Sequence, residues 1–188
     1  MRSIRYAAAL PLMALAAACS QPDDAANDDA VVAEAEPVET TMGIATLQLA
    51  DGTSAGTARV VDTGDGVVIN AELSNITPGA HGFHLHTVGT CDAPDFKTAE
   101  GHLNPLDKNH GFESEGGAHV GDLYNIDIAA DGTGKQVNPI EGDAAQVADW
   151  LFDEDGTAVM VHSGPDDYQT DPAGDAGSRV ACGVLTRS

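Results

Sequence analysis

The sequence has few basic residues and no long apolar run or helical periodicity, and each of these features excludes a class of protein. Eight lysines and arginines stand against thirty acidic residues, for a net charge of −22. Such a charge repels nucleic acid and anionic membrane surfaces, so neither is expected as a partner. The apolar run at residues 6–18 is too short to span a membrane. No long segment has the apolar repeat of a helix, and aromatic residues make up only 4% of the chain.

The N-terminal residues have the order of a secretion signal. Arg2 and Arg5 precede the apolar run, and three alanines at its end lead to Cys19. This order predicts a signal peptide over residues 1–18. Two forms of processing fit it. One is ordinary cleavage after Ala18, and the other is lipoprotein cleavage before Cys19 with a lipid attached to its sulfur.

The next segment, residues 19–41, is predicted to be an acidic, disordered tether. Every charged residue in it, from Asp23 to Glu39, is acidic. Alanine, proline and like charges cannot bury enough surface to fold. Loss of residues 1–18 removes two of the eight basic residues and no acidic one, which leaves a net charge of −24. The folded domain is expected over residues 42–188.

The folded part is predicted to be all-β. Short runs rich in valine, isoleucine, leucine and threonine alternate with Asp-Gly turn signals, which indicates seven or eight antiparallel strands in a sandwich or flattened barrel. The runs lie at residues 46–49, 58–61, 67–73, 81–88, 123–128, 158–161 and 180–185. Two connections, residues 89–122 and 162–178, exceed the usual loop length and are expected to be functional.

Six of the seven histidines and one aspartate are arranged as candidate metal ligands. His84 and His86 are two residues apart, so on a strand both side chains lie on one face. Neutral imidazole suits copper and zinc, and a carboxylate is a ligand that zinc accepts. Seven ligands are too many for one tetrahedral ion but suit two ions that share a ligand. They are His84, His86, His102, His110, His119, Asp122 and His162.

The motifs around these ligands resemble those of copper/zinc superoxide dismutase. The strings HGFHLH, GHLNP, NHG, AHVGDL, VMVH and GSRVACGV occur in this order, and the match runs from about residue 42 to residue 186. One such string is weak evidence, whereas six in order are specific. The resemblance implies an eight-stranded antiparallel Greek-key sandwich or flattened barrel. It also implies an enzyme that converts superoxide to dioxygen and hydrogen peroxide by copper redox cycling, with one copper and one zinc per chain.

The resemblance assigns each ligand to a metal. Copper would be held by His84, His86, His102 and His162, and zinc by His102, His110, His119 and Asp122. His102 would then bridge the two metals as an imidazolate. The division agrees with metal chemistry, because a closed four-ligand zinc site is structural whereas copper has two oxidation states.

Further roles follow from the same resemblance. Arg179 would receive the anionic superoxide beside copper, and Asp166, in preference to the neighbouring Asp167, would link His84 to His110. His81 matches a motif histidine that is not a ligand. One feature departs from many family members, because residues 165–178 contain four aspartates and no basic residue. Steering of superoxide would then be weaker or would come from the other loop, whose lysines are Lys97 and Lys108.

The cysteines bear on the location of the protein. The resemblance pairs Cys91 with Cys182, which leaves Cys19 odd and favours a lipid on its sulfur. Ser20 follows it, as in similar lipoproteins exported to the outer membrane. We therefore expect a periplasmic protein anchored to the outer membrane. Whether the protein forms a homodimer, and through which surface, stays open, since bacterial and eukaryotic branches of this family dimerise through different surfaces.

The alternative is a periplasmic copper- or zinc-binding protein, or a copper-transfer protein, without catalysis. Loss of Arg179 or of a copper ligand would indicate it, and all are present. A copper-only dismutase would lack the zinc ligands, which are present as well. A purely structural module would have no reason to gather seven ligands.

Overall fold

In the computed structural model, residues 39–188 are described, and nine strands make up most of their regular structure. The strands are β1 (Thr40–Leu49), β2 (Ser54–Asp62), β3 (Val67–Leu73), β4 (Gly79–His81), β5 (Phe83–His86), β6 (Ile126–Ile128), β7 (Gly134–Ile140), β8 (Ala158–His162) and β9 (Arg179–Arg187). One short helix, α1 (Ala144–Leu151), and a 3-10 turn at Lys97–Ala99 complete the elements of this range. β1 begins slightly before the domain boundary expected at Met42.

The strands form a curled antiparallel sheet. Seven strands lie in the order β5-β8-β9-β1-β2-β3-β7, and β4 pairs separately with β6. Alternate side chains along β1, β2 and β3 are buried, so one face of the sheet covers the core. Leu47, Ile69, Phe83 and Ile126 are among the fully buried side chains of that core. The antiparallel, all-β prediction is confirmed.

Neither β7 nor α1 was predicted, and each has a physical reason. β7 contains Pro139 and mostly polar residues, so it lacks a strand pattern, yet it lies at the sheet edge where proline is tolerated. α1 is only eight residues long and begins with a capping box. Asp143 accepts bonds from the backbone of Ala145 and Gln146, and the Gln146 side chain accepts one from the Asp143 backbone.

Two long segments without strands lie between the sheet elements. The first, residues 87–125, joins β5 to β6, and the second, residues 163–178, joins β8 to β9. We call them the first loop and the second loop. The predicted disulfide is present, and Cys91 in the first loop is bonded to Cys182 in β9. Among residues 39–188, no helix is long and apolar enough to cross a membrane. The predicted signal peptide, most of the tether and Cys19 lie outside the described residues.

Candidate metal centre

Two neighbouring strands provide three of the four histidines expected to bind copper. His84 and His86 lie on β5, which pairs antiparallel with β8, and His162 is the last residue of β8. The fourth, His102, comes from the first loop, where it bridges to the backbone of His86. All four side chains are buried, and their candidate ligand atoms lie within 4.8 Å of one another.

Each of these histidines directs one unbonded ring nitrogen into the group. The nitrogens are His84 Nδ1, His86 Nε2, His102 Nε2 and His162 Nε2, and none has a hydrogen-bond partner among the described residues. Buried polar atoms without a partner are costly, so four in one place require an explanation. A bound copper ion provides it, and the donor set therefore fits copper.

The opposite ring nitrogens fix how three of these imidazoles are oriented. His86 Nδ1 lies 2.7 Å from the Glu100 carbonyl oxygen, and His162 Nδ1 lies 3.3 Å from that of Gly177. His84 Nε2 lies 2.6 Å from a carboxylate oxygen of Asp166. Each N–H donates to an oxygen, which selects the tautomer whose other nitrogen is free to bind a metal.

The second group gathers the residues expected to bind zinc around one carboxylate oxygen. The Nδ1 atoms of His102, His110 and His119 lie 2.8, 3.1 and 3.1 Å from Asp122 Oδ1. The other carboxylate oxygen, Oδ2, accepts the backbone N–H groups of Gly111 at 2.8 Å and His119 at 3.0 Å. Three imidazole nitrogens and one carboxylate oxygen make a closed set of four, which fits structural zinc.

His102 is the residue that the two groups share. Its Nδ1 faces the group around Asp122, and its Nε2 faces the nitrogens of His84, His86 and His162. Neither ring nitrogen is bonded to a backbone group of residues 39–188. The ring therefore has the placement that the predicted bridge requires.

Burial keeps several of the imidazoles in the form that binds metals. It lowers the pKa of His86 to about 2, of His162 to about 3 and of His102 to about 4. These rings are neutral at pH 7, as metal ligation requires. For Asp122 burial acts the other way, but hydrogen bonds from the surrounding histidines hold the pKa of its carboxyl well below its usual range.

Asp166 connects the two groups through the second loop. Its carboxylate lies 2.6 Å from His84 Nε2 and 3.0 Å from His110 Nε2, and it is fully buried. Burial disfavours a charge on His110, but its bonds to Asp122 and Asp166 outweigh this and raise the pKa of His110 to about 9 in the absence of metal. Asp167 is exposed and bonds within its own turn. The structure therefore places Asp166, and not Asp167, between His84 and His110.

Gly174 packs directly against this link. Its φ is +64°, and a Cβ built there would lie 1.9 Å from Asp166 Oδ1 and 2.7 Å from His110 Nε2. No larger residue fits without displacing the carboxylate.

The seventh histidine, His81, belongs to neither group, and its ring nitrogens lie 2.6 and 2.8 Å from the carbonyl oxygens of His162 and Thr77.

Arg179 lies beside the copper group. It pairs with His162 across β8 and β9, and its guanidinium donates to the Phe96 and Glu100 carbonyl oxygens of the first loop. The Glu100 carbonyl also accepts from His86 Nδ1, so one oxygen joins the arginine to a copper-group histidine. Burial lowers the pKa of Arg179, but a guanidinium remains charged at any working pH.

A surface cavity of about 470 Å³ leads to this arginine. Lys97 and Asp95 line it together with Arg179, and the lysine ammonium lies 3.1 Å from the Asp95 carboxylate. Lys97 therefore adds a positive charge to the cavity beside Arg179, although Asp95 offsets part of that charge. Lys108 is held in the first loop, where its backbone bonds to the Asn104 side chain.

Some contributors to the site have no recognisable signal in the sequence. The Glu100 carbonyl orients both His86 and Arg179, and a backbone oxygen is independent of residue type. Asn125 holds the backbone of Asp166 through its side chain. Asparagine is common in loops, so its role is visible only once the two loops are placed together.

The fold and the site define the class of this protein. It is an all-β protein whose two long loops close over a pair of metal-binding groups that share one histidine. One group has four imidazole nitrogens and an arginine nearby, and the other is a closed set of four. This combination defines a binuclear copper/zinc protein.

Comparison with known proteins names the family. The family model described as copper/zinc superoxide dismutase (SODC) matches residues 54–185. The copper-zinc superoxide dismutase 1 of Aquifex aeolicus is 45% identical over 137 residues, which cover 71% of this chain and 81% of that protein. The chain belongs to the copper/zinc superoxide dismutase family.

Solved structures agree with this. A superoxide dismutase-like protein from Bacillus subtilis has a TM-score of 0.72 at 33% identity, over 78% of this chain and 100% of that chain. The copper/zinc superoxide dismutase from Brucella abortus has a TM-score of 0.63 at 27% identity, over 79% of this chain and 100% of that chain.

Proposed function

We propose that this chain is an enzyme that converts superoxide to dioxygen and hydrogen peroxide. The single observation that carries the proposal is the placement of His102 and Arg179. His102 directs one ring nitrogen into each metal-binding group, and Arg179 shares the Glu100 carbonyl with a histidine of the copper group. Family membership supports the same activity.

The chain's own residues bind and orient the substrate. When bound, copper would supply one-electron redox chemistry, and zinc would be held by His102, His110, His119 and Asp122 of the first loop. The Arg179 guanidinium offers charged N–H donors to a small oxygen anion and is itself held by two carbonyl oxygens of the first loop. Because those carbonyls belong to the loop that carries His102, the anion site and the metal-binding groups are fixed relative to each other.

Proton handling is assigned to His102. Formation of hydrogen peroxide from superoxide requires protons as well as an electron. His102 Nε2 faces the copper group and has no hydrogen-bond partner among the described residues, so it can hold a proton there and give it back. Its Nδ1 stays directed at the zinc-binding group, which keeps the ring in position throughout.

The rate of superoxide decay tests the activity, because uncatalysed dismutation gives the same products. Copper- and zinc-loaded protein should consume superoxide well above the uncatalysed rate and yield one dioxygen and one hydrogen peroxide for every two superoxide ions, and zinc-only protein should be inactive. Stopped-flow decay of superoxide with oxygen and peroxide electrodes measures this. Protein that binds both metals yet leaves superoxide decay at the uncatalysed rate would favour a copper-binding or copper-transfer role instead.

We also propose that the mature protein is a lipoprotein of the periplasm, anchored to the outer membrane through Cys19. Two observations support this. The signal-like order of residues 1–18 ends at a cysteine, and the disulfide uses the other two of the three cysteines in the chain. The periplasm is an oxidising compartment in which such a disulfide persists.

A homodimer is a further proposal about partners. Phe112 and Tyr124 stack with their ring centroids 4.7 Å apart, and both are more than 40% exposed, which leaves an apolar surface for a second copy. The large negative charge opposes self-association, so a dimer would need salt to screen it. Sedimentation velocity at physiological and low salt tests this, and a monomer under both conditions contradicts it.

A further inference from the structure

Asn125 clamps the backbone of Asp166 from both sides. Its side-chain nitrogen donates to the Asp166 carbonyl oxygen at 2.9 Å, and its side-chain oxygen accepts the Asp166 backbone N–H at 2.8 Å. The Asn125 backbone N–H donates to the Tyr168 hydroxyl at 2.9 Å. Asn125 belongs to neither metal-binding group. Three hydrogen bonds thus join it to the second loop.

Asp166 depends on this clamp because it lies in a loop without regular secondary structure. Its short side chain must reach His84 and His110 at once, so the position of its backbone decides whether both bonds form. An error of about 1 Å would lengthen these bonds beyond useful hydrogen-bond distance. The carboxylate is fully buried, so water cannot replace a lost partner.

The other side of the clamp is anchored in the sheets. Asn125 directly precedes β6, which pairs with β4. The residue before it, Tyr124, donates its backbone N–H to the side chain of Asn138 in β7 at 2.9 Å, and Asn138 is fully buried. The peptide link between Tyr124 and Asn125, together with these hydrogen bonds, therefore connects β7 to Asp166 and the two histidines.

We propose that Asn125 is a positioning residue that sets the orientation of His84 and His110 through Asp166, and so raises the metal affinity of both groups. The inference rests on the metal binding in the proposed function. It extends that function, because it makes the edge of the sheet part of the support for both ions. Residues that orient metal ligands typically change metal affinity about 10- to 100-fold when they are removed.

Zinc affinity tests the proposal independently of dismutase activity. Chelator competition should show zinc binding about 10-fold weaker in Asn125→Ala. Asn125→Asp keeps the size of the side chain and the acceptor for the Asp166 N–H, but it replaces the donor with a carboxylate oxygen that repels the Asp166 carbonyl oxygen, so zinc binding should weaken at least as much. It also covers the case in which the alanine variant does not fold. A lower melting temperature of the metal-free protein with unchanged zinc affinity in both variants would make Asn125 merely structural and overturn the proposal.

Proton exchange reports directly on Asp166. In zinc-loaded protein, the Nε2 protons of His84 and His110 should exchange with solvent about 10-fold faster in the Asn125 variants, as seen by nitrogen-15 NMR. The Nδ1 proton of His86, which is bonded to Glu100, should be unchanged and serves as the internal reference. Equal exchange of all three protons in variant and parent would overturn the proposal.

Tyr168→Phe is the matched control. It removes the hydroxyl that accepts the Asn125 backbone N–H but keeps both bonds between the Asn125 side chain and Asp166. Zinc affinity should stay within about 2-fold of the parent protein. A loss as large as that of Asn125→Ala would assign the effect to general packing of the second loop and contradict the clamp.

Discussion

At the scale of single residues, hydrogen bonds decide which nitrogen of each imidazole can bind a metal. His84 donates from Nε2 and so presents Nδ1, whereas His86 and His162 donate from Nδ1 and present Nε2. His102 donates from neither to a backbone group and presents both. Which nitrogen is available at each position therefore depends on where the oxygen that accepts the other N–H lies.

His162 should be required for copper but not for zinc. His162→Ala removes one of four nitrogens from the copper group and touches no atom of the zinc group, so copper binding and dismutase activity should be abolished while zinc remains. Metal analysis by mass spectrometry measures both ions. His119→Ala is the matched control, because it should lose zinc first. Equal loss of both ions from His162→Ala would count against the assignment.

Arg179 should govern the approach of anions. Arg179→Gln keeps some hydrogen-bonding capacity but removes the charge, so both metals should stay bound while kcat/KM for superoxide falls about 10-fold. Inhibition by azide should weaken in parallel. Arg187→Gln, at the far end of the same strand and over the Phe152 ring, is the control and should keep full activity. Full activity in Arg179→Gln would show that Arg179 does not attract the substrate anion.

The sequence predicted the ligands at this scale because their chemistry is carried by residue type and spacing. Histidine is uncommon, so six of them in ordered motifs are informative, and both groups assemble as expected. The supporting contacts were not predictable in the same way. Asn125, the Glu100 carbonyl and Gly174 act through position in space, which depends on how the two loops fold against each other.

At the scale of elements, the two long loops hold each other in place. The first loop carries His102, His110, His119 and Asp122, and the second loop carries Asp166. The Gly111 position shows how closely they meet, because a Cβ there would lie 2.0 Å from the Tyr168 carbonyl oxygen. Neither loop contains a strand, so their order depends on these contacts, on the disulfide and on the metals.

Loss of the disulfide should destabilise the protein and loosen the first loop. Cys91 and Cys182 are 91 residues apart, and closing a loop of that length stabilises by about 4–5 kcal/mol in the chain-entropy model. Reduction should therefore lower the melting temperature by roughly 10 °C or more. Calorimetry with and without reductant measures this, and a variant with serine at both positions controls for the reductant. Free thiols at both positions in protein recovered from the periplasm would refute the pairing in vivo.

The predicted strands lie in runs rich in valine, isoleucine, leucine and threonine. β3 was predicted with its observed bounds, since its buried and exposed residues alternate throughout. β7 was missed because an edge strand can carry a proline and polar residues on both faces. α1 was missed because only Val147 and Leu151 of its eight residues are buried, which is too few to give a helical repeat.

At the scale of the whole molecule, the net negative charge repels the proposed substrate. Superoxide is an anion, and the mature chain would carry a net charge of −24. The positive groups at the cavity are Arg179 and Lys97, and the lysine is partly offset by Asp95. Electrostatic guidance therefore depends on a few residues around one entrance.

Cys19 should determine whether the protein fractionates with membranes. If it is lipidated, the mature chain begins at Cys19, carries acyl chains and is recovered with the outer membrane. If residues 20–39 form the coil that the sequence predicts, they would hold the domain on the order of 25 Å from the lipid. Cys19→Ser should release an active, soluble enzyme where export still occurs. Recovery of the unmutated protein wholly in the soluble periplasmic fraction would instead support ordinary cleavage after Ala18.

A copper titration of the zinc-loaded protein, with superoxide decay followed at each point, tests most directly whether the two groups form a copper/zinc dismutase. Activity should rise in proportion to added copper and level off at one copper per chain, with one zinc retained, because the described residues form one group for each ion. Activity that is absent at one bound copper per chain, or that requires the loss of zinc, would contradict it.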